Sequence, residues 1–290
     1  MPSSTTSHLV PWLARYIAWS RRNIFAAACA TGFGLIVLMA LLAPFLGLAD
    51  PTQIDFSSKL LRPSSTHWFG TDGLGRDIFS GVVYGARVSL LVAIGVVTIA
   101  ASIGIPIGLV AGYAGGWIDT TLMRISDVFL AFPPLLLPIT LAALLGPGLL
   151  NAMCAVAISW FPWYARIVRS TVLTVRSDLY VQSARAIGTN PSSIALRHVL
   201  PNSLSPVVVQ ASLDFGFAIL TTASLSFIGM GAVPPTVEWG LMVASSRSVF
   251  LEYWWTAMFP GLAIFLTVFF ANVVVDGVRD SLDPKLGRQP

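Results

Sequence analysis

Charge is what this chain has least of. Only 10% of its 290 residues are Asp, Glu, Lys or Arg, against about 25% in soluble domains. That shortage, with 55% hydrophobic residues, excludes an ordinary soluble domain and points to an integral membrane protein. Cysteine is scarce too. Cys29 and Cys154 both lie inside apolar runs, so there is no disulfide framework and no sign of a redox compartment. His8, His67 and His198 are far apart and show no metal spacing. No basic stripe with interleaved aromatics accompanies the net charge of +4, so nucleic acid is excluded as a partner. His-Glu-x-x-His, Gly-x-Ser-x-Gly and Gly-x-Gly-Asp are all missing, which argues against the corresponding membrane-enzyme chemistries. Gly70 to Asp77, GTDGLGRD, begins like a phosphate-binding loop. Arg76-Asp77 then stands where Lys and Ser/Thr are required, so the segment is a Gly-rich turn that holds no ATP.

What the chain has instead is long apolar runs. A spanning helix needs about 20 mostly apolar residues, because the hydrocarbon core is about 30 Å thick and each residue rises about 1.5 Å. Six segments meet this: Ile24–Gly47, Val88–Gly112, Ser126–Leu145, Leu149–Ala165, Ser205–Met230 and Trp254–Val275. Gly146-Pro147-Gly148 breaks the third from the fourth and predicts a tight helical hairpin. Pro106, Pro138 and Pro162 fall inside predicted spans and should kink them. Arg15, Arg21 and Arg22 precede the first run as in a signal peptide, but the run exceeds the roughly 7–15 residues of a signal core. An uncleaved first span is expected. The fold class is therefore all-α: a cytoplasmic segment 1–23, then one six-span domain over 24–290.

Basic residues set the orientation. With the N-terminus inside, the cytoplasmic segments hold Arg15, Arg21, Arg22, Arg124, Arg166, Arg169, Arg176, Arg185, Arg197, Arg279, Lys285 and Arg288, which is 12 of the 17 Lys and Arg. Lys59, Arg62, Arg76, Arg87 and Arg247 fall outside. This bias predicts both termini in the cytoplasm. The outer loop Gly231–Tyr253 is bordered by Trp239, Trp254 and Trp255, which suit a membrane interface or a surface that receives a binding protein.

Two acidic residues touch the apolar runs. Asp127 is expected at the N-terminus of the third span, where the helix dipole favours a carboxylate. Asp214 lies about ten residues into an otherwise uncharged span, where a charge is costly and should face protein or water. Thr221 and Thr222 follow about two turns on, and Ser226 extends the stripe. The expectation is a wet translocation path. An alternative is a proton site in an ion-gradient-driven carrier.

The longest predicted cytoplasmic loop, about 171–203, contains YVQSARAIGTNPSSIALRHVLPN, Tyr180 to Asn202. Tyr180 to Ile187 can form a short helix that Gly188 stops. Asn190-Pro191 turns the chain, and Ser192 to His198 can form a second turn closed by Pro201. The small residues Ser183, Ala184, Ala186 and Gly188 permit close approach of a foreign surface.

The loop resembles the coupling loop of importer-type ABC permeases: Glu-Ala-Ala, three residues, Gly, nine residues, then x-x-Leu-Pro. The matching positions are Gln182, Ser183, Ala184, Gly188, Leu200 and Pro201, with Gln182 and Ser183 replacing Glu and Ala. Further blocks resemble the C-type permease of oligopeptide and dipeptide importers: HWFGTDGLGRDIFSGVVYGARVSL (67–90), AGYAGGWIDTTLMRISD (111–127), YARIVRS (164–170), ASLSFIGMG (223–231), PPTVEWGLM (234–242) and DGVRDSLDPKLG (276–287). Thr222 departs from the Glu common there. The resemblance implies a type I importer fold in a bacterial inner membrane and no enzymatic activity of its own. It also implies no cofactor in this chain, ATP and Mg being bound by partner subunits. The implied partners are a B-type permease, separate or fused ATP-binding subunits docking at Gln182, Ser183, Ala184, Arg185, Ala186, Gly188, Leu200 and Pro201, and an extracytoplasmic binding protein. The cargo would be a peptide, with nickel and glutathione as alternatives.

Overall fold

A computed structural model describes residues 24–282, with side chains described over 24–275. The predicted cytoplasmic segment 1–23, and the part of the C-terminal block beyond 282, lie outside the described residues. Among the described residues the chain is all-helical, with one isolated antiparallel bridge, Thr71 to Asp77. We number the α-helices α1 (Ile24–Leu42), α2 (Ile78–Ala114), α3 (Gly116–Leu130), α4 (Leu136–Leu145), α5 (Leu149–Val175), α6 (Leu179–Ala186), α7 (Pro191–Ile194), α8 (Leu200–Ser203), α9 (Ser205–Phe227), α10 (Trp239–Ser245) and α11 (Trp255–Leu282). A π-helical turn, Ala195–Val199, joins α7 to α8.

Among the described residues four segments are long and apolar enough to cross a membrane: Ile24–Phe45, Ile78–Ala114, Ser205–Phe227 and Trp255–Val275. The other two expected spans take a different form. The third is split between α3 and α4 by a turn at 131–135, where Pro133-Pro134 withdraws amide donors. The fourth lies in α5, which runs ten residues past the predicted end and carries Arg166 and Arg169 on that extension. Gly146-Pro147-Gly148 does separate α4 from α5.

Helix α2 begins ten residues before the predicted Val88, with Asp77 as its cap: the Ser80 amide donates to Asp77 Oδ2 at 2.8 Å. Arg87 therefore sits inside a helix and not in a loop. Asp127 is likewise corrected. It lies in the last turn of α3, not at a helix start, and pairs with Arg166 at 2.5 Å. An arginine replaces the helix dipole as its stabilising partner.

The centre of the bundle is the α2–α5 seam. Gly104, Gly108 and Gly112 recur every four residues on α2, so one face presents bare backbone to α5. A Cβ added at Gly104 would lie 2.5 Å from the Phe161 carbonyl, and one at Gly112 3.0 Å from the Arg169 carbonyl. Tyr164, Ala165, Val168 and Val172 of α5 fill this seam and are all fully buried.

The end of the bundle that carries the N-terminus of α2 is pinned by tryptophans that prove to be core residues. Trp239 and Trp255 are 1% and 3% exposed. The Trp239 indole donates to the Val82 carbonyl at 2.9 Å, and that of Trp255 to the Thr71 carbonyl at 3.3 Å. Burying two large rings with satisfied N–H groups outweighs placing them at a lipid interface. Only Trp254 of this trio is exposed, at 51%.

Candidate coupling surface and polar face

Helix α6 is placed by what lies under it. Val181, Ile194 and Val199 are fully buried and pack with Tyr164, Val168, Val172 and Val175 at the end of α5. Ala184 and Leu200 are half-buried against the same cluster. The opposite face is bare. Gln182, Ser183, Arg185, Ala186, Gly188 and Pro201 are exposed. Leu179 and Ile187 are 81% and 82% exposed, and Leu196 is 58% exposed. These large apolar side chains stand outward on an otherwise polar loop and make it a candidate contact surface. These three were absent from the sequence-derived set, because the spacing motif marks the small residues and not their apolar rim.

The chain leaves α6 through a left-handed residue. Gly188 has φ +79°, with open space where a Cβ would stand. Its amide donates to the Arg185 carbonyl at 3.0 Å, and the Thr189 amide to that of Ala184 at 3.1 Å. This is the glycine stop expected from sequence. Asn190 Oδ1 then accepts from the Ser192 amide at 3.0 Å and caps α7, with Pro191 in its first turn.

Four arginines tie the helices together at this end of the bundle, three from α5 and its C-cap and one, Arg185, from α6. Arg166 reaches Asp127, and Arg169 donates to both oxygens of Asp119 at 2.5 and 2.6 Å. Arg176 donates to the Gly112 carbonyl at 2.8 Å. The Arg185 guanidinium lies over the Tyr113 ring, 5.5 Å from its centroid. Asp119 precedes the third apolar run, and the hydrogen bond from Arg169 holds its carboxyl below the usual carboxylate range.

The polar stripe of α9 is distributed over several contacts. Asp214 is half-buried and accepts from the Tyr164 hydroxyl at 2.7 Å and from the Gln210 amide group at 2.8 Å. Thr221, Thr222 and Ser226 are buried within the chain. Thr222 donates to the Ala218 carbonyl at 2.7 Å, and Ser226 Oγ accepts from the Ala232 amide at 3.1 Å. Gln210 could have been found four residues before Asp214 on one helix face. Tyr164, fifty residues away, leaves no local signal. A separate face of α9 bears Phe217, Leu220, Ser224 and Phe227, all exposed and three or four residues apart.

The block PPTVEWGLM also acquires a structural meaning. Glu238 caps α10 by accepting from the Gly240 and Leu241 amides at 2.7 and 2.9 Å. Trp239 anchors on α2, and Gly240 packs on the Ala223 backbone of α9.

These features, a bundle of apolar helices with an exposed apolar rim on a polar loop at one end, fit a membrane permease. Residues 104–288 match the family described as binding-protein-dependent transport system inner membrane component, and the chain belongs to that family. It is 49% identical over 253 residues to the probable D,D-dipeptide transport system permease protein DdpC of Escherichia coli K12, covering 87% of this chain and 85% of that one. It is 47% identical over 250 residues to the dipeptide transport system permease protein DppC of Alkalihalophilus pseudofirmus, covering 86% and 82%. Identity to the glutathione transport system permease protein GsiD of Pectobacterium atrosepticum is 44% over 277 residues, covering 95% and 92%. Among solved structures, an inward-facing MetNI methionine ABC transporter superposes with TM-score 0.56 at 17% identity, covering 70% of this chain and 96% of that one. The last likeness concerns the fold alone.

Proposed function

We propose that this permease forms half of a peptide-import pathway and is driven by ATP-binding subunits docking on α6. The carrying observation is the two-sidedness of α6: Val181 fully buried beneath, Leu179 and Ile187 about four-fifths exposed above. A helix anchored on one side and bare and apolar on the other suits a partner protein that pushes on it. Six membrane crossings follow if α3 and α4 together make the third and α5 the fourth, with both termini in the cytoplasm. The exposed face of α9 would meet a related B-type permease. Asp214, with Tyr164 and Gln210, would stand beside the path between the two subunits. A binding protein would deliver cargo at the outer end, where α10 closes the bundle. ATP and Mg would be held by the partner subunits, separate or fused. The names of the relatives support a dipeptide or a small peptide such as glutathione as cargo.

The test is reconstitution with the partner subunits in liposomes. Uptake of a labelled dipeptide should require ATP and the binding protein and should survive collapse of ion gradients. Uptake that follows the gradient and ignores ATP would instead make the chain a secondary carrier.

A further inference from the structure

A groove of about 650 Å³ runs between α1, α2, α9 and α11. Its walls include Phe33, Val37, Leu91, Ile94, Phe215 and Ala271. Two lining residues carry polar side chains, Ser212 and Arg87. The Ser212 hydroxyl donates to the Val208 carbonyl of its own helix at 2.8 Å, leaving Arg87 as the free polar group of the groove. Among the described residues Arg87 makes no ion pair or hydrogen bond, although Arg76, Arg166, Arg169, Arg176 and Arg247 all do. It is exposed and heads a stripe of α2 that continues through Leu91 and Ile94, which are 64% and 53% exposed.

An unpaired guanidinium at the edge of an apolar run is costly unless it meets an anion or reaches the polar interface. Arg87 stands immediately before the uncharged stretch 88–112, which is long enough to cross the hydrocarbon core, so its guanidinium would reach the headgroups. A planar fork of N–H donors fits phosphate oxygens in a bidentate manner. An apolar trough directly beside such a fork fits a hydrocarbon chain. We propose that this groove is a binding site for an anionic phospholipid, with its phosphate on Arg87 and an acyl chain between α1 and α9. The leaflet follows from the topology proposed above and would be the outer one. The site itself does not depend on that orientation or on ATP coupling. The N-terminal segment is a poor occupant on charge grounds, since residues 1–23 carry Arg15, Arg21 and Arg22 and no acidic residue.

The test uses the purified permease complex in detergent, loaded with phosphatidylglycerol and read by native mass spectrometry for retained lipid. Wild type should retain the lipid, and millimolar inorganic phosphate alone should not displace it. Arg87→Gln should weaken retention about tenfold, the scale of one lost charge-assisted contact. Ala211→Phe, which fills the groove and leaves the arginine, should weaken it similarly. Equal retention by wild type and Arg87→Gln would overturn the proposal. So would a shift in selectivity between free and amidated peptide C-termini with retention unchanged, which would make Arg87 a cargo contact. Efficient crosslinking from Ile94→Cys to the partner permease would also overturn it, by showing that protein fills the groove.

Discussion

Arg169 holds Asp119 with two parallel hydrogen bonds, Nε to Oδ1 at 2.5 Å and Nη2 to Oδ2 at 2.6 Å. The two residues are fifty apart in sequence, and the pair fixes α3 against the end of α5 that carries α6. Because the Asp119 carboxyl titrates below its ordinary range, its contribution to stability is present above the ordinary carboxylate value, about 4, and is lost as pH falls through the depressed value. Asp119→Asn should lower stability by about 1–2 kcal/mol near neutral pH. In thermal melts the gap to wild type should stay constant between about pH 8 and about pH 5 and close in stronger acid. A gap that widens in acid would contradict the assignment. Exchanging the two charges, Asp119→Arg with Arg169→Asp, should recover part of the loss.

At Gly188 the left-handed backbone and the bare surface coincide. Gly188→Ala should cost about 1 kcal/mol of local strain and leave transport near normal. Gly188→Trp should insert into the membrane normally yet lose uptake, and loaded binding protein should no longer stimulate ATP hydrolysis. Near-normal uptake by the Trp variant would show that α6 does not transmit the drive.

The glycine seam predicts a purely structural defect. A side chain at Gly104 must displace the α5 backbone, so Gly104→Val should cost about 2–4 kcal/mol and reduce folded yield. Gly34, which has open space around it, should tolerate the same change. Fluorescence-detected size exclusion after heating distinguishes the two.

Asp214 accepts from the buried Tyr164 hydroxyl and from Gln210, and an Asn in its place keeps an acceptor oxygen, so that exchange should be felt in function before folding. Asp214→Asn should preserve assembly and basal ATPase activity while changing transport rate or peptide preference, and Asp214→Leu should do so more strongly. An Asp214→Leu complex that transports at the wild-type rate would remove Asp214 from the path.

Orientation can be read by labelling. In a background without Cys29 and Cys154, Ser64→Cys should react with an impermeant thiol reagent added outside, and Ser192→Cys should not. Both positions are exposed, so accessibility alone does not separate them. The reverse pattern would invert the topology.

Much of this arrangement was readable from the chain. The apolar runs of α1, α9 and α11, the breaker before α5 and the Gly188 stop each depend on residues adjacent in sequence. The misreadings share a cause. Helix α2 starts early because Ile78 to Arg87 is helical protein surface and core, which a search for lipid-soluble runs passes over. Trp239 and Trp255 looked interfacial because their partners, Val82 and Thr71, are more than 150 residues away. Asp127 was placed at the wrong end of a helix because Pro133-Pro134 was not read as a break. The candidate coupling surface was visible as a motif, but its apolar rim of Leu179, Ile187 and Leu196 needed the fold to show which side was buried.

The seam between α2 and α5 has a mechanical consequence. Side-chain layers absorb displacement by changing rotamers, whereas at Gly104, Gly108 and Gly112 the α2 backbone lies directly against α5 with no side chain of its own to yield. The paired helices, about 55 and about 40 Å long at 1.5 Å per residue, therefore act as one strut. If a partner pushes on α6 as proposed, α2 and α5 would move together rather than slide past one another. Between α1, α9 and α11, by contrast, rings such as Phe33 on Phe215 and Phe25 on Phe269 stand between the helices and can repack.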